Sequence, residues 1–203
     1  MSRDAHIETS KKLSWLLRHG AVEAGVAMDA AGWVAVSDVL RFLRTTRERL
    51  NEVVEENTKS RLEIRGERIR ASQGHSTENM PVTREALEAS WTERHDELSI
   101  WHGTSVKVLP AIAREGIVPQ ARTHVHLTSA LDSVVGKRAQ VDVMLEVSPA
   151  RLRAQGLRVF ESQNGVILVR EVPPSCIVGL KALVEKARKN EASLRALFQG
   201  GPA

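Results

Sequence analysis

The spacing of apolar residues changes along the chain, and this change restricts the fold more than any other sequence feature. Early in the chain, apolar residues recur at helical spacing, which predicts helices over 7–19, after an N-cap at Ser37 or Asp38, and from Thr46 onward. The run RLEIRGERIRAS then alternates around Gly66, which predicts a β-hairpin. Three helices followed by a hairpin is the order of a winged helix, a relative of the helix-turn-helix proteins that bind nucleic acid.

A polar segment, residues 73–97, separates this region from one of different character. Beyond it we predict strands within LSIWHG, HVHLTS, VDVMLEVS, RVFES and GVILVR, and helices near PAIAREG and ALDSVVGKRA. A final apolar stripe over 183–198 predicts a C-terminal helix. We therefore expect an α+β protein of two domains, residues 1–92 and 93–203.

The composition is that of an ordinary globular protein, with 42% hydrophobic and 27% charged residues. No apolar run approaches the roughly 20 residues that span a bilayer, and the N-terminus lacks a secretory signal, so we expect a cytoplasmic protein without membrane contact. The net charge is +4, yet residues 1–95 hold 15 basic and 15 acidic side chains. A polyanion would therefore be bound by a few placed arginines rather than by a broad positive field.

Two short motifs contain side chains suited to chemistry. The first predicted helix ends in Arg18-His19, which has an ordinary explanation, because cations are favourable at the negative end of a helix dipole. His102-Gly103-Thr104 follows a strand-like run, and such strand ends deliver polar groups to ligands.

A pair of histidines forms a third candidate. His124 and His126 are two residues apart and would face one side of a strand. Zinc is one interpretation of such a pair, but a zinc site needs at least one further ligand. The Asn164-Gly165 pair between two strand runs predicts only a type I′ turn.

Eight segments occur in order between about residues 7 and 180: SKKLSWLLRHGAVEAG, GWVAVSDVL, KSRLEI, IRASQGHS, WHGTSVKVLPAIAREGI, RTHVHLTS, VGKR and FESQNGVILVREVPPSCI. Together they resemble the RNA (tRNA) 2′-phosphotransferase family. The resemblance implies a winged-helix RNA-binding lobe and an NAD-binding lobe of ADP-ribosyltransferase type. It also implies that NAD is consumed to remove a 2′-phosphate from RNA, without a metal, and we expect the protein to be a monomer.

The resemblance also implies roles for particular residues. The positions that match the family's essential set are Arg18, His19, Arg61 and Arg122. The expected NAD contacts are His102, Gly103, Thr104, His126, Thr128, Arg138 and Asn164. The expected contacts to the RNA are Gln73, His75 and His124.

The sequence leaves two other functions open. An ADP-ribosyltransferase acting on nucleic-acid phosphates would transfer ADP-ribose from NAD to its acceptor and stop there. The ADP-ribose would remain on the acceptor. A non-enzymatic winged-helix regulator would bind duplexes with a steep salt dependence and turn over no NAD.

Overall fold

The buried apolar residues form two separate cores, and each core belongs to one structural unit. The computed structural model describes residues 3–57, 60–133 and 141–198. The first unit comprises Met1–Trp91 together with Ala121–Thr123, and the second comprises Thr92–Gln120 and His124–Ala203. Residues 121–123 thus belong to the first unit although they lie far along the chain.

Helices and one antiparallel sheet surround the core of the first unit. Its elements are α1 (Arg3–Trp15), β1 (Val34–Ala35), α2 (Val36–Leu43), α3 (Arg47–Glu55), β2 (Leu62–Arg65), β3 (Arg68–Ala71) and α4 (Arg84–Glu88). The sheet has the order β1-β3-β2, so the predicted hairpin is confirmed. α3 begins where it was predicted, next to Thr46, and the side chain of Thr46 caps it by accepting a hydrogen bond from the Arg49 N–H.

The predicted N-cap of α2 is wrong. Neither Ser37 nor Asp38 caps the helix, because it already begins at Val36, directly after β1. The N–H of Val36 donates to the carbonyl of Glu67 in the hairpin turn at 2.9 Å. A tertiary partner therefore satisfies a helix-terminal donor that a capping side chain would otherwise bind.

Two antiparallel sheets and several short helices form the second unit. Its strands are β4 (Thr92–Glu93), β5 (Ile100–Thr104), β6 (Val125–Leu127), β7 (Val143–Val147), β8 (Phe160–Glu161), β9 (Ile167–Val169) and β10 (Ile177–Ala182). Its α-helices are α5 (Leu109–Glu115), α6 (Pro149–Ala154), α7 (Glu185–Arg188) and α8 (Glu191–Ala196). The sheet orders are β10-β7-β5 and β4-β8-β9-β6. The mixed α and β composition expected from the sequence is confirmed.

Each of the five predicted strand segments contains a strand, but β4, β10, α4 and α6 were not predicted. β10 follows a Pro-Pro pair and contains a register shift near Gly179, which obscures its alternation. α6 has an overlooked signature, because Ser148 caps it and Pro149 occupies its first turn. The C-terminal stripe predicted as one helix forms α7 and α8 instead.

The turn between β8 and β9 also differs from the prediction. A type I′ turn needs positive φ at both central residues, but only Gly165, with φ of 77°, has it. The N–H of Gly165 donates to the Ser162 carbonyl at 2.8 Å, and the N–H of Ser162 donates to the Val166 carbonyl at 2.9 Å. Three-residue hairpin loops that end in a left-handed glycine have this pattern.

The helix predicted near ALDSVVGKRA lies largely outside the described residues. Across the ranges that the structure describes, no helix is both long enough and apolar enough to cross a membrane.

Candidate functional site

The Arg18-His19 pair lies on an irregular turn of the first helix. After Trp15, α1 passes into a π-helical turn over Leu16–Gly20. Such turns are rare and occur frequently at functional sites. The close approach of Gly20 to the Trp15 ring helps to fix this turn, since a Cβ on Gly20 would lie 2.3 Å from a ring carbon.

A buried loop surrounds the side chain of Arg18. Residues 72–75, which follow β3, are all buried. The Nη2 of Arg18 lies 3.4 Å from the Oε1 of Gln73, which is a weak hydrogen bond. Gly74, with φ of 90°, lies so close that a Cβ there would be 3.5 Å from the Arg18 Nε. The Nε itself is buried and has no hydrogen-bond acceptor among the described residues.

His19 is held by the next residue of the same loop. Its Nδ1 lies 2.6 Å from the Oγ of Ser76. The backbone N–H of Ser76 donates to the carbonyl of Arg18 at 2.9 Å. One serine therefore fixes both the backbone of the π-helical turn and the ring of His19.

A short backbone ladder brings Arg122 to this loop. Ser76 and Arg122 form an antiparallel bridge. The N–H of Thr77 donates to the Ala121 carbonyl at 3.0 Å, and the N–H of Thr123 donates to the His75 carbonyl at 3.1 Å.

The side chain of Arg84 in α4 also forms a hydrogen bond to this ladder. Its Nε donates to the carbonyl of Thr123 at 3.1 Å. Arg122 is therefore held in the first unit by hydrogen bonds between residues more than 30 positions apart in sequence.

The charges of Arg61 and Arg122 act on the side chain of Arg18. Burial, followed by the positive charges of Arg61 and Arg122, lowers the pKa of Arg18 to about 10. Burial and the charges of Arg18 and Arg122 also lower the pKa of His19. In the part of the chain that the structure describes, neither Arg18 nor Arg61 forms an ion pair with a carboxylate.

A cluster of positively charged side chains has an unfavourable electrostatic energy unless an anion binds to it. Like charges raise one another's energy, and a partly buried guanidinium has lost much of its hydration. Arginine forks match phosphate oxygens and stay charged at neutral pH. We call Arg18, His19, Arg61 and Arg122 the arginine corner. Its charge is of the kind that suits a multiply charged anion such as a phosphate ester.

The expected RNA contacts do not all fall in the first unit. Gln73 contacts Arg18, and His75 is completely buried in the same loop. A close approach to Gly32 confines His75, because a Cβ on Gly32 would lie 2.7 Å from the ring Nε2. His124 is also buried, but it belongs to the second unit.

In the second unit, three of the predicted NAD residues, His102, His126 and Thr128, lie where its two sheets meet. The backbones of Trp101 in β5 and Thr128 after β6 exchange hydrogen bonds of 2.8 and 2.9 Å. The Nδ1 of His102 lies 3.1 Å from the carbonyl oxygen of His126, so the two histidine positions are neighbours.

The other predicted NAD residues occupy different places. Gly103 and Thr104 continue β5 beyond His102. Asn164 lies in the β8–β9 turn, where its Oδ1 accepts a 2.9 Å hydrogen bond from the Ser162 hydroxyl. Arg138 falls outside the described residues.

The residue that the sequence analysis missed is Ser76. It stands 57 positions after His19, and no spacing rule connects the two. Its place in the QGHS run was the only available sequence signal, and that run has the composition of an ordinary loop. Among the described residues no group of three or more His, Cys, Asp and Glu side chains is placed to hold a metal ion.

Comparison with known proteins identifies the family of this chain. The profile of the "RNA 2'-phosphotransferase, Tpt1 / KptA family" matches residues 4–171. A "Probable RNA 2'-phosphotransferase" of Pseudomonas savastanoi pv. phaseolicola is 34% identical over 190 residues, which cover 89% of this chain and 97% of the relative. A protein of the same description from Thermococcus kodakarensis is 35% identical over 176 residues, covering 83% and 93%. Another from Pyrococcus furiosus is 34% identical over 182 residues, covering 86% and 95%.

The chain therefore belongs to the RNA 2′-phosphotransferase, Tpt1 / KptA family, and it is a transferase.

Proposed function

We propose that the protein is an NAD-dependent RNA 2′-phosphotransferase. It transfers an internal 2′-phosphate of RNA to NAD and releases 2′-hydroxyl RNA, nicotinamide and ADP-ribose 1″,2″-cyclic phosphate. The observation that carries this proposal is the arginine corner, in which burial and the charges of Arg61 and Arg122 lower the pKa of Arg18 to about 10.

The reaction has two steps, as the family resemblance implies. An oxygen of the RNA 2′-phosphate attacks the anomeric carbon of the nicotinamide ribose, and the bond to nicotinamide breaks. The ribose 2″-hydroxyl then attacks phosphorus, and the bond to the RNA 2′-oxygen breaks. Both steps bring anionic oxygens together, so the main task of the protein is to bind and neutralise a dianionic phosphate.

Arg18, Arg61 and Arg122 perform that task. Each guanidinium offers paired donors to phosphate oxygens, and the substrate relieves the repulsion among the three cations. Removal of one such group from an electrostatic site typically costs about 3 to 4 kcal/mol of transition-state stabilisation, about 10²- to 10³-fold in rate.

In the second step, His19 donates a proton to the 2′-oxygen of the RNA as that oxygen leaves phosphorus. Its lowered pKa keeps the ring neutral in the free protein at neutral pH. A bound dianion raises the pKa of an adjacent imidazole, because an opposite charge favours the protonated form. Substrate binding therefore favours the protonated form of His19, which can donate its proton to the leaving 2′-oxygen. Ser76 orients the ring through Nδ1.

NAD is bound by the second unit through His102, Gly103, Thr104, His126, Thr128, Arg138 and Asn164. The contact between His102 and the His126 carbonyl supports this assignment, because it groups two of these residues at the junction of the two sheets. Gln73, His75 and His124 contribute to binding of the RNA.

We place the two domains at 1–92 and 93–203, and the change of structural unit after Trp91 supports this boundary. In this proposal the first is a winged-helix RNA-binding lobe, since its order is helices followed by a hairpin. The second is an NAD-binding lobe of ADP-ribosyltransferase type. The enzyme acts as a monomer in the cytoplasm.

A 2′-phosphorylated oligonucleotide tests the proposal directly. Incubated with the protein, it should lose its phosphate only when NAD is present, and nicotinamide should form in equal amount. Arg61→Ala and Arg122→Ala should lose activity while keeping the wild-type circular dichroism spectrum. Arg41→Ala is the matched control, because Arg41 is an arginine of α2 whose side chain is 77% exposed. Phosphate removal without NAD, or full activity in either corner variant, would contradict the proposal.

The same incubation distinguishes the proposed phosphotransferase from an ADP-ribosyltransferase that acts on nucleic-acid phosphates. Mass spectrometry of the RNA product would show a retained ADP-ribose group if the chemistry stopped after the first step. The comparisons favour a transferase over the non-enzymatic regulator, since the relatives are named as phosphotransferases.

A further inference from the structure

A second polar pocket adjoins the arginine corner. It has a volume of about 230 Å³ and lies between the start of α1 and the segment after α3, all within the first unit. We call it the α1 pocket. Its lining residues are His6, Ile7, Ser10, Lys11, Glu56, Asn57 and Arg61.

Arg61 connects the α1 pocket to the arginine corner. It lines the pocket, and its charge also contributes to the lowered pKa of Arg18. Lys11 lies seven residues before Arg18, which is about 10 Å along a helix axis. A strand of nucleic acid covers that distance within a few nucleotides.

The α1 pocket offers donors for an anion. Lys11 provides an ammonium group, and Ser10 and Asn57 provide a hydroxyl and an amide. Over the ranges that the structure describes, Lys11 forms no ion pair. The carboxylate that lines the pocket, Glu56, lies 3.3 Å from the His6 ring.

The adjacent lysine has a different environment. The Nζ of Lys12 lies 2.8 Å from a carboxylate oxygen of Glu8, one helical turn earlier. Neither Lys12 nor Glu8 lines the α1 pocket. Two consecutive lysines therefore differ in face and in partner, although they have the same charge and the same helix.

We propose that the α1 pocket binds a backbone phosphodiester of the RNA strand that flanks the 2′-phosphorylated nucleotide, with Lys11 as the principal cation. This inference rests on the proposed function for the nature of the substrate. The pocket sets the direction in which the strand leaves the arginine corner. It also accounts for recognition of RNA by a unit whose overall charge is balanced.

Direct binding without NAD tests this inference. Fluorescence anisotropy would measure the affinity for a labelled oligonucleotide of about ten nucleotides with one internal 2′-phosphate. Lys11→Ala should weaken binding about five- to twentyfold, since a hydrogen bond to a charged group is lost. It should also reduce the slope of log affinity against log salt by about one. Lys11→Arg should restore most of the affinity.

Lys12→Ala is the matched control, because it removes the same charge from the next residue. It should bind the oligonucleotide within about twofold of the wild type, as expected for an exposed, ion-paired residue. Equal losses in the two variants, or no loss in Lys11→Ala, would overturn the inference. The difference between the variants should vanish on a nucleoside 2′-monophosphate, which has no phosphodiester, and its persistence there would also overturn the inference.

The outcomes distinguish this inference from the proposed function. If the wild type binds the oligonucleotide but removes no phosphate with NAD, the proposed function fails and the lysine comparison still stands. If the wild type removes the phosphate and the two lysine variants bind equally, only the α1 pocket assignment fails.

Discussion

Replacing Arg18 by methionine should abolish activity and yet stabilise the protein in the absence of ligands. The structure lowers the pKa of Arg18 to about 10, which is about 2.5 below that of an ordinary guanidinium. Each pKa unit corresponds to about 1.36 kcal/mol, so burial and the neighbouring arginines disfavour the charged form by roughly 3 kcal/mol. Methionine replaces the aliphatic part of the arginine side chain and carries no charge.

The expected net gain is smaller than this penalty. Methionine loses the hydrogen bond to Gln73, whose 3.4 Å length is that of a weak bond and which we value at about 1 kcal/mol. We therefore expect the free energy of unfolding of Arg18→Met to rise by about 1 to 2 kcal/mol. The sign follows from linkage: the folded state binds the Arg18 proton less tightly than the unfolded state does. The destabilisation of the folded state by the charge of Arg18 therefore has its full size below pH 10. It decreases only as the pH rises through that value.

Urea unfolding with and without inorganic phosphate would measure both effects. Phosphate should stabilise the wild type, by about 2.7 kcal/mol at a concentration of 100 times its Kd, and should stabilise Arg18→Met much less. Arg41→Met, at a side chain that is 77% exposed, controls for the loss of one positive charge. A lower free energy of unfolding in Arg18→Met, or equal stabilisation of it by phosphate, would refute the idea of three converging arginines.

Three further predictions concern residues near and away from the arginine corner. Arg122→Ala should raise the pKa of His19, because a nearby positive charge is removed, and an NMR titration of the ring would show it; an unchanged pKa would contradict the placement of Arg122. Gly20→Ala should cost about 1 to 3 kcal/mol in thermal unfolding, since the new Cβ would displace the Trp15 ring. Burial raises the pKa of the Cys176 thiol, so a disulfide reagent should label it much more slowly in the native than in the urea-unfolded protein.

The sequence predicted local elements well where the signal was local. The hairpin at Gly66 and the start of α3 near Thr46 were predicted because each depends on residues adjacent in the chain. The cap at Ser37 or Asp38 was wrong because a carbonyl from the hairpin turn satisfies the first N–H of α2. β10 was missed because its alternation is interrupted near Gly179.

The candidate site was predicted unevenly. Motif resemblance selected Arg18, Arg61 and Arg122, and in the structure the charges of the latter two act on the first. Nothing in the sequence indicated the role of Ser76, because its contact to His19 joins residues 57 positions apart. The placement of Arg138 stays a prediction.

By itself the sequence determined the family, the alternation of helices and strands, and the residue types available for binding a phosphate. Only the tertiary structure decided which arginines lie close enough to repel one another and which loop encloses them. The reason is that helix periods, caps and turns depend on neighbours in the chain. The proton affinity of Arg18 depends instead on burial and on charges that come from residues 61 and 122. Those effects exist only after hydrogen bonds between distant segments have brought the charges together.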